Sequence, residues 1–322
     1  MTKLFQQAAG VLIFLIASVL ISSVARADWR DNFKVLTLGF VGGERPKLAI
    51  RHIEPFRHAM QQALGISVRV IPTLDYAGLV RAQENGRIDY GVYSAASFAA
   101  ATVRCKCIEP LAAAMLEGGV KAFYSILLVK KDAAKSIEQL HGKRVSAPGK
   151  GSLTGYILPV KLLAAKGVIF SEDPSDSTQN RVIIAGSAEK ALDMLIAGEV
   201  DGMFGWSTLH GFENMGYSAG TLKRLKLRKG VQLNDYSIIW KSGQIANGPH
   251  AISSKVPSEA KEILISFLTG LYDKNPAAYD AVENYRSGGF ARVKLSDYQL
   301  LIDLVTPPAD KEQSGKDSGD TK

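Results

Sequence analysis

The sequence predicts an α/β protein with two lobes, each built on a mainly parallel sheet covered by helices. Short apolar runs alternate with amphipathic segments from residue 34 onward, which is typical of such sheets. The same order of strand and helix returns in the second half of the chain, and the segments after Trp240 look like elements that complete the first lobe. A length of 322 residues, at about 150 residues per domain, agrees with two lobes.

Three strands and two helices are predicted in the first half. Alternating or continuous apolar residues indicate strands over residues 34–41, 67–72 and 88–94. Apolar residues at helical spacing, followed in each case by a glycine, indicate helices over residues 49–65 and 76–86. This order is that of parallel strands joined by helical crossovers.

The second half repeats this order. Strands are predicted over residues 143–148 and 181–186, with helices in residues 149–167 and 188–198. The basic segment KRLKLRK, residues 223–229, has leucines at alternate positions. We therefore predict a strand with one basic face there, not a nucleic-acid-binding arm.

Two further helices and a polar tail are predicted toward the C-terminus. Residues 258–275 and 276–285 have helical patterns, and residues 295–305 (LSDYQLLIDLV) form another element of the first lobe. Residues 307–322 are polar and lack apolar periodicity, so we predict a disordered tail.

The N-terminus has the features of an export signal. Lys3 supplies positive charge, residues 11–21 are apolar, and Ala25 and Ala27 form a small-x-small cleavage site. We therefore predict that residues 1–27 are a cleaved signal peptide and that the mature protein is secreted or periplasmic. An uncleaved N-terminal anchor is the alternative.

The net charge favours an anionic ligand and gives no support to nucleic-acid binding. Loss of the signal peptide lowers the formal charge from +8 to +6, because Lys3 and Arg26 are removed. The remaining basic residues are spread along the chain and are not interleaved with aromatic residues.

The cysteine and histidine positions predict neither a metal site nor another cofactor. Cys105 and Cys107 are separated by one residue, so they are either unpaired or bridged locally, and two thiolates alone do not complete a zinc site. Of the five histidines, only His52 and His58 lie near each other, with poor spacing for one helix face.

Residues 149–155 (GKGSLTG) are the clearest candidate for a ligand site. Glycines and small hydroxyl residues lead from a predicted strand into a helix, which places Ser152 or Thr154 at the N-cap. Unpaired N–H groups and the positive end of the helix dipole suit an anion, although an ordinary capped helix explains the pattern nearly as well. The spacing matches neither a P-loop nor a nucleophile elbow. Pro159 falls inside the predicted helix and is expected to bend it.

Two short segments of the chain are similar to each other. Residues 85–94 and 197–207 each run from a helix end through a glycine, an aspartate and a short strand to an aromatic residue and a serine. Ligands of open α/β sheets bind beyond the carboxyl ends of the strands, so Tyr93 and Trp206 are predicted at the mouth of a cleft between the lobes. For each residue alone, a place in the core is an equally good interpretation.

Several segments, taken in order, resemble the periplasmic phosphate/phosphite/phosphonate-binding proteins of ABC importers. The most specific are residues 75–78 (DYAG) and the Ser-x-Thr-Gly loop followed by Pro159. The resemblance implies a type II periplasmic-binding fold, in which two lobes close on a ligand and an oxyanion lies at the helix that the loop opens. It also implies the lobe boundaries, with residues 28–124 and 246–306 in the first lobe and 125–245 in the second.

The resemblance further implies site residues. Ser152 and Thr154 match the two hydroxyl residues of the family's loop, while Leu153 stands where the family usually has threonine. The backbone N–H groups of Leu153 and Gly155 are expected to donate to the oxyanion. Tyr76 matches a ligand-facing tyrosine of the first lobe.

Other positions depart from the family pattern. Phe123 falls where another tyrosine is common, and Ala188 where a phosphonate-contacting histidine is frequent. Thr208 and Gly248 lie near the positions at which acidic residues of related proteins meet the amine of aminoalkyl phosphonates. Because a buried ammonium without a carboxylate is poorly compensated, we predict that an aminoalkyl phosphonate is not the preferred ligand.

These observations predict a monomeric solute-binding protein that captures a small oxyanion, either a phosphonate, a phosphite or a phosphate ester, for an ABC transporter permease. The alternatives are a ligand-sensing periplasmic protein that signals to a membrane kinase, and a binding protein for a non-phosphonate solute. No nucleophile, base and orienting group come together by spacing, so we predict that the protein is not an enzyme. The candidate ligand contacts are Tyr76, Tyr93, Phe123, Ser152, Leu153, Thr154, Gly155, Trp206 and Thr208.

Overall fold

Two β-sheets with helices packed on them make up the computed structural model, which describes residues 28–173, 175, 179–283 and 288–307. The predicted signal peptide lies outside the described residues. So does the predicted tail, apart from its first residue.

The strands of the described chain are short, from two to nine residues. In chain order they are β1 (Val35–Val41), β2 (Ser67–Thr73), β3 (Tyr90–Val92), β4 (Ile108–Ala114), β5 (Ala122–Lys130), β6 (Arg144–Ala147), β7 (Phe170–Ser171), β8 (Asn180–Ile184), β9 (Gly202–Ser207), β10 (Tyr236–Lys241), β11 (Ile245–Ala246), β12 (Pro249–Ser253) and β13 (Phe290–Arg292).

The longest helices lie near the two ends of the described chain. In chain order the α-helices are α1 (Pro46–Leu64), α2 (Tyr76–Glu84), α3 (Ala95–Cys105), α4 (Leu158–Ala164), α5 (Ala188–Ala197), α6 (Thr221–Lys226), α7 (Ser258–Lys274), α8 (Pro276–Asp280) and α9 (Gln299–Val305). A π-helical turn, Leu153–Ile157, leads directly into α4.

The first sheet has the strand order β13-β4-β12-β3-β1-β2. In it, β1 pairs in parallel with β2 and β3, whereas β12 runs antiparallel to β3 and β4. Strands from both ends of the chain share this sheet, so the C-terminal segments do return to the first lobe. Its core packs α1 and α7 against the sheet through buried residues such as Phe56 and Leu264.

The second sheet has the order β10-β5-β9-β6-β8-β7, with β11 paired to β5. Strands β6 to β9 pair in parallel, and β5 is antiparallel to β9 and β10. Each sheet thus combines a parallel part with antiparallel neighbours. The parallel parts are the ones that the alternating strands and helices of the sequence predicted.

Two connections cross between the sheets, one from β4 to β5 and one from β10 to β12. Beside them, Leu158 of α4 belongs to a buried cluster with Tyr298 and Leu301 from the first lobe. The predicted lobe boundaries, at residues 124 and 246, lie close to these connections and stay predictions.

Local signals explain where several helices begin and end. Pro46 starts α1, and Gly65 ends it in the left-handed region with φ 70°. The hydroxyl of Ser187 accepts a hydrogen bond from the N–H of Lys190 at the start of α5, and Gly198 ends that helix with φ 79°. The two glycines match the predicted helix ends, whereas α1 begins three residues before its predicted start at residue 49.

The prediction of a strand over residues 223–229 is wrong, because this segment begins within helix α6. Leu222 and Leu225 are both buried, three residues apart, as on one face of a helix. Leu227 lies beyond the helix and is exposed. The alternation that predicted a strand compared Leu225 with Leu227 and left out Leu222.

The bend predicted at Pro159 stays a prediction, but the helix around it is not a single α-helix. Pro159 lies in the first turn of α4, where its fixed φ suits the helix. The chain changes helix type before it: the turn from Leu153 to Ile157 is π-helical, and the α-helix begins only at Leu158.

Cys105 and Cys107 form a disulfide at the end of α3. Lys106 between them adopts the left-handed conformation, with φ 47°, and caps the helix. Of the two alternatives left open by the sequence, local pairing is therefore the one observed.

Candidate ligand-binding cleft

Two adjoining cavities lie between the sheets. The smaller, of about 280 Å³, is lined by Phe123, Thr154 and Trp206 of the second sheet's lobe together with Leu116 and Asn247 of the crossing connections. The larger, of about 390 Å³, shares the last two residues and extends into the first lobe. Its other lining residues are Tyr76, Val92, Tyr93, Ser94, Ala114, Met115, Gly248, Val282 and Glu283. We refer to the two together as the cleft.

The turn that opens onto the smaller cavity is capped by Ser152. Its hydroxyl oxygen accepts a hydrogen bond from the N–H of Gly155 at 3.1 Å. Of the two predicted N-cap residues, Ser152 is therefore the one observed, and Thr154 is left to line the cavity.

This cap determines which N–H groups of the turn remain for a ligand. The N–H of Gly155, one of the predicted oxyanion donors, is already bonded to Ser152, and Gly155 is buried. The N–H groups of Leu153 and Thr154 start the turn and have no intrahelical acceptor. The side chain of Leu153 packs instead against the buried cluster between the lobes.

Two aromatic rings form one wall of the smaller cavity. Phe123 and Trp206 meet edge to face, with ring centroids 5.8 Å apart. Phe123 lies on β5 and Trp206 on the antiparallel neighbour β9. The sequence prediction that Trp206 lies at the cleft agrees with this position.

Tyr76 is the first residue of α2 and lines the larger cavity from the first lobe. Asp75 caps the helix, since its carboxylate accepts a hydrogen bond from the N–H of Gly78 at 2.6 Å. The Tyr76 side chain is 45% exposed, so it is accessible to a ligand. Burial, and then the charge of Glu283, raises the pKa of its hydroxyl, which keeps the group a neutral donor.

Tyr93 borders the larger cavity, but its ring lies in the core. The residue is only 3% exposed, and its hydroxyl donates to Oε1 of Gln83 at 3.1 Å. The ring covers Gly91, where an added Cβ would approach Tyr93 Cε2 to 2.4 Å. A core position for the ring, the alternative that the sequence left open, is therefore the one observed.

Thr208 lies apart from these cavities. Its hydroxyl is 2.9 Å from that of Ser218 and 3.4 Å from the carbonyl of Ala219, and the residue is buried. It lines a different hollow, of about 460 Å³, together with Tyr124 and His210. The structure therefore does not bring Thr208 together with the other predicted contacts.

Sequence reasoning missed one charged residue of the cleft, Glu283. Its carboxylate lies 3.5 Å from Nε2 of the fully buried His250, whose Nδ1 is 2.5 Å from the hydroxyl of Tyr90. Glu283 follows α8, a segment with no motif that marks a site. The predicted ligand preference rests on the lack of an acidic residue at Thr208 and Gly248. Glu283 brings a carboxylate to the larger cavity from another position, and the preference stays a prediction.

Neutral groups dominate the rest of the cleft. Among the described residues that line the two cavities, none is Lys or Arg. Lys150, in the glycine-rich loop, is paired with Glu172 at 2.9 Å on the surface, with its side chain 66% exposed. An anion at the turn would therefore be held mainly by hydrogen bonds and by the helix dipole.

The part of the chain that the structure describes contains no cluster of three or more His, Cys, Asp or Glu side chains suited to hold a metal ion. No helix in the described ranges is long and apolar enough to cross a membrane.

Comparison with known proteins relates the chain to one family. Residues 38–298 match the family described as ABC transporter, phosphonate, periplasmic substrate-binding protein. The phosphate-import protein PhnD of Mycolicibacterium smegmatis is 24% identical over 262 residues, or 80% of this chain and 75% of that protein. The phosphonates-binding periplasmic protein of Escherichia coli is 24% identical over 318 residues, or 97% of this chain and 86% of that protein.

A solved structure supports the fold independently of sequence. A Xanthomonas citri protein bound to ATP superimposes with a TM-score of 0.59 at 16% identity, covering 89% of this chain and 100% of that one. The family match extends over most of the chain, which confirms both the resemblance and the two-lobed α/β fold predicted from the sequence. The chain belongs to the family of periplasmic substrate-binding proteins of phosphonate ABC transporters.

Proposed function

We propose that the protein captures a small oxyanion, a phosphonate, phosphite or phosphate ester, in the cleft and delivers it to an ABC transporter permease. One observation carries the proposal: Thr154, in the π-helical turn that Ser152 caps, lines a cavity between the lobes. The N–H groups there have no intrahelical acceptor, and the helix dipole favours negative charge at that end.

The size and polarity of the cleft support a small ligand with an organic part. The cavity of about 280 Å³ at the turn suits an oxyanion group, and the adjoining one of about 390 Å³ leaves space for a substituent. Phe123 and Trp206 give the smaller cavity an aromatic wall beside the turn. Hydrogen bonds between neutral donors and an anion are stronger where water is excluded.

We also propose that the protein acts in the periplasm after removal of residues 1–27, as a monomer and without chemistry on the ligand. The periplasmic site and the absence of chemistry agree with the family's role as the substrate-binding part of a transporter. Phosphonate ligands are supported by the name of the Escherichia coli relative, and phosphate by that of the Mycolicibacterium smegmatis relative.

Calorimetry with purified protein tests the proposed ligand class. We expect binding of methylphosphonate, phosphite or phosphate, and a rise in the unfolding temperature with ligand, because a ligand at 100 times its Kd adds about 2.7 kcal/mol of stability. Absence of binding to all three, and to phosphate esters, would overturn the proposal.

A pair of threonine variants tests the proposed place of binding. Thr154→Val removes a hydroxyl that lines the cavity and should weaken oxyanion binding about 10-fold, the cost of one lost hydrogen bond to a charged group. Thr208→Val is the matched control, because its hydroxyl is bonded within its own lobe. Equal affinities of Thr154→Val and wild type would place the oxyanion elsewhere.

A further inference from the structure

The π-helical turn at the proposed site has an unusual pattern of hydrogen bonds. The carbonyl of Ser152 accepts from the N–H groups of both Tyr156 and Ile157, at 3.0 and 2.9 Å. The N–H of Leu158 donates to the carbonyl of Leu153, five residues back. Such wide turns are rare and occur often at functional sites, because they reposition backbone groups.

The next carbonyl in this pattern is that of Thr154, and no backbone N–H is available five residues after it. The residue five positions after Thr154 is Pro159, which has no N–H. The hydroxyl of Ser125 takes that place and donates to the Thr154 carbonyl at 2.6 Å. A side chain on β5 therefore completes a helical turn that the proline leaves open.

Ser125 is itself held in place. It is fully buried, and its N–H donates to the hydroxyl of Ser242 at 3.0 Å. Its carbonyl accepts from the N–H of Ser242 at 2.9 Å. The hydroxyl of Ser125 is thus presented from a fixed point on the sheet.

The bond from Ser125 acts on one particular peptide group. This peptide joins Thr154 to Gly155: its carbonyl accepts from Ser125, and its N–H donates to the Ser152 hydroxyl. It is therefore held at both ends. The two preceding N–H groups, of Leu153 and Thr154, keep their orientation because the peptide after them cannot rotate.

We propose that Ser125 is a positioning residue for ligand binding: it replaces the N–H that Pro159 lacks and holds the first turn in its π form. The inference rests on the proposed function, since the turn is the proposed oxyanion site. Ser125 does not line either cavity of the cleft, so it acts through Thr154 and not by contact with the ligand.

Four variants test this inference, with calorimetry against methylphosphonate, phosphite and phosphate. Ser125→Ala should weaken binding about 10-fold. Ser146→Ala is the matched control: Ser146 is also fully buried in the second sheet, and its hydroxyl donates to the Ala191 carbonyl at 2.9 Å, away from the turn. Ser146→Ala should lower the unfolding temperature about as much as Ser125→Ala does, and it should leave the affinity for the three anions unchanged.

A rescue variant separates positioning from loss of stability. Pro159→Ala restores an N–H five residues after Thr154, so Ser125→Ala/Pro159→Ala should regain most of the lost affinity. Pro159→Ala alone should bind as the wild type does. The inference would be overturned if Ser125→Ala and Ser146→Ala lost the same amount of anion affinity, or if the double variant did not regain affinity over Ser125→Ala.

Hydrogen exchange without ligand gives a readout that does not depend on the proposed function. Amides of residues 156–158 should exchange faster in Ser125→Ala than in the wild type, and should be unchanged in Ser146→Ala. If the wild type binds none of the anions but this result is obtained, the proposed function fails while the role of Ser125 in holding the turn stands. Unchanged exchange in Ser125→Ala would refute that role.

Discussion

Gly155 allows a sharp test of how tightly the ligand-binding turn is packed. A Cβ added there would lie 2.6 Å from Cδ of Pro148 and 2.7 Å from both Pro148 Cγ and the Ser152 hydroxyl. The proline ring is rigid, so the backbone of the turn has to move. Gly155→Ala should therefore both destabilise the protein and weaken ligand binding.

The expected magnitude follows from three contributions. Overpacking costs about 1–3 kcal/mol, and loss of the Ser152 cap costs about 1 kcal/mol. The better helix propensity of alanine offsets up to about 1 kcal/mol. The net loss of unfolding free energy is about 1–4 kcal/mol, which lowers the unfolding temperature by several degrees, at about 2–4 °C per kcal/mol.

Gly151→Ala is the matched control in the same loop. No atom lies within 4 Å of a Cβ added at Gly151, and its φ is not in the left-handed region. The substitution should be neutral or stabilise by up to about 1 kcal/mol, because alanine restricts the unfolded chain. Thermal unfolding and calorimetry of both variants measure the effects. A Gly155→Ala protein as stable as Gly151→Ala, with wild-type affinity, would refute this account of the turn.

Three further predictions concern charge, pH and the core. Glu283→Gln removes the carboxylate of the cleft and should weaken binding of 2-aminoethylphosphonate relative to methylphosphonate, measured by calorimetry, because an ammonium loses its ionic partner. Burial raises the pKa of the Tyr93 hydroxyl in the folded protein above its value in the unfolded chain. The unfolded chain therefore loses this proton first, and stability should fall as the pH rises above about 10. Tyr93→Phe should show a shallower fall in unfolding temperature over that pH range. Leu158→Ala should cost about 2–5 kcal/mol in urea unfolding, whereas Leu227→Ala, at an exposed position, should change stability by less than about 0.5 kcal/mol.

Each of these predictions has an outcome that contradicts it. An unchanged ratio of the two phosphonate affinities in Glu283→Gln would place the organic part of the ligand away from that carboxylate. Parallel pH profiles for Tyr93→Phe and the wild type would mean that other groups cause the alkaline loss. A small effect of Leu158→Ala would show that the contact between the lobes contributes little to stability.

The sequence by itself determined those features that depend on neighbouring residues. The period of the apolar residues separated strands from helices, as in β1 and α5, because burial on one face repeats at a fixed local spacing. Gly65 and Gly198 were likewise visible as helix ends, and the cap of the ligand-binding turn was narrowed to Ser152 or Thr154, because helix ends are formed by a few adjacent residues.

The tertiary structure decided what depends on groups far apart in the chain. The hydroxyl of Tyr93 turned into the core because Gln83 offers it a buried acceptor. Glu283 entered the cleft through the fold of a segment that carries no site motif. The π-helical form of the turn involves Ser125, which lies 29 residues before Thr154. Hydrogen bonds and packing between distant segments leave no periodic or local pattern, so only the folded chain could reveal them.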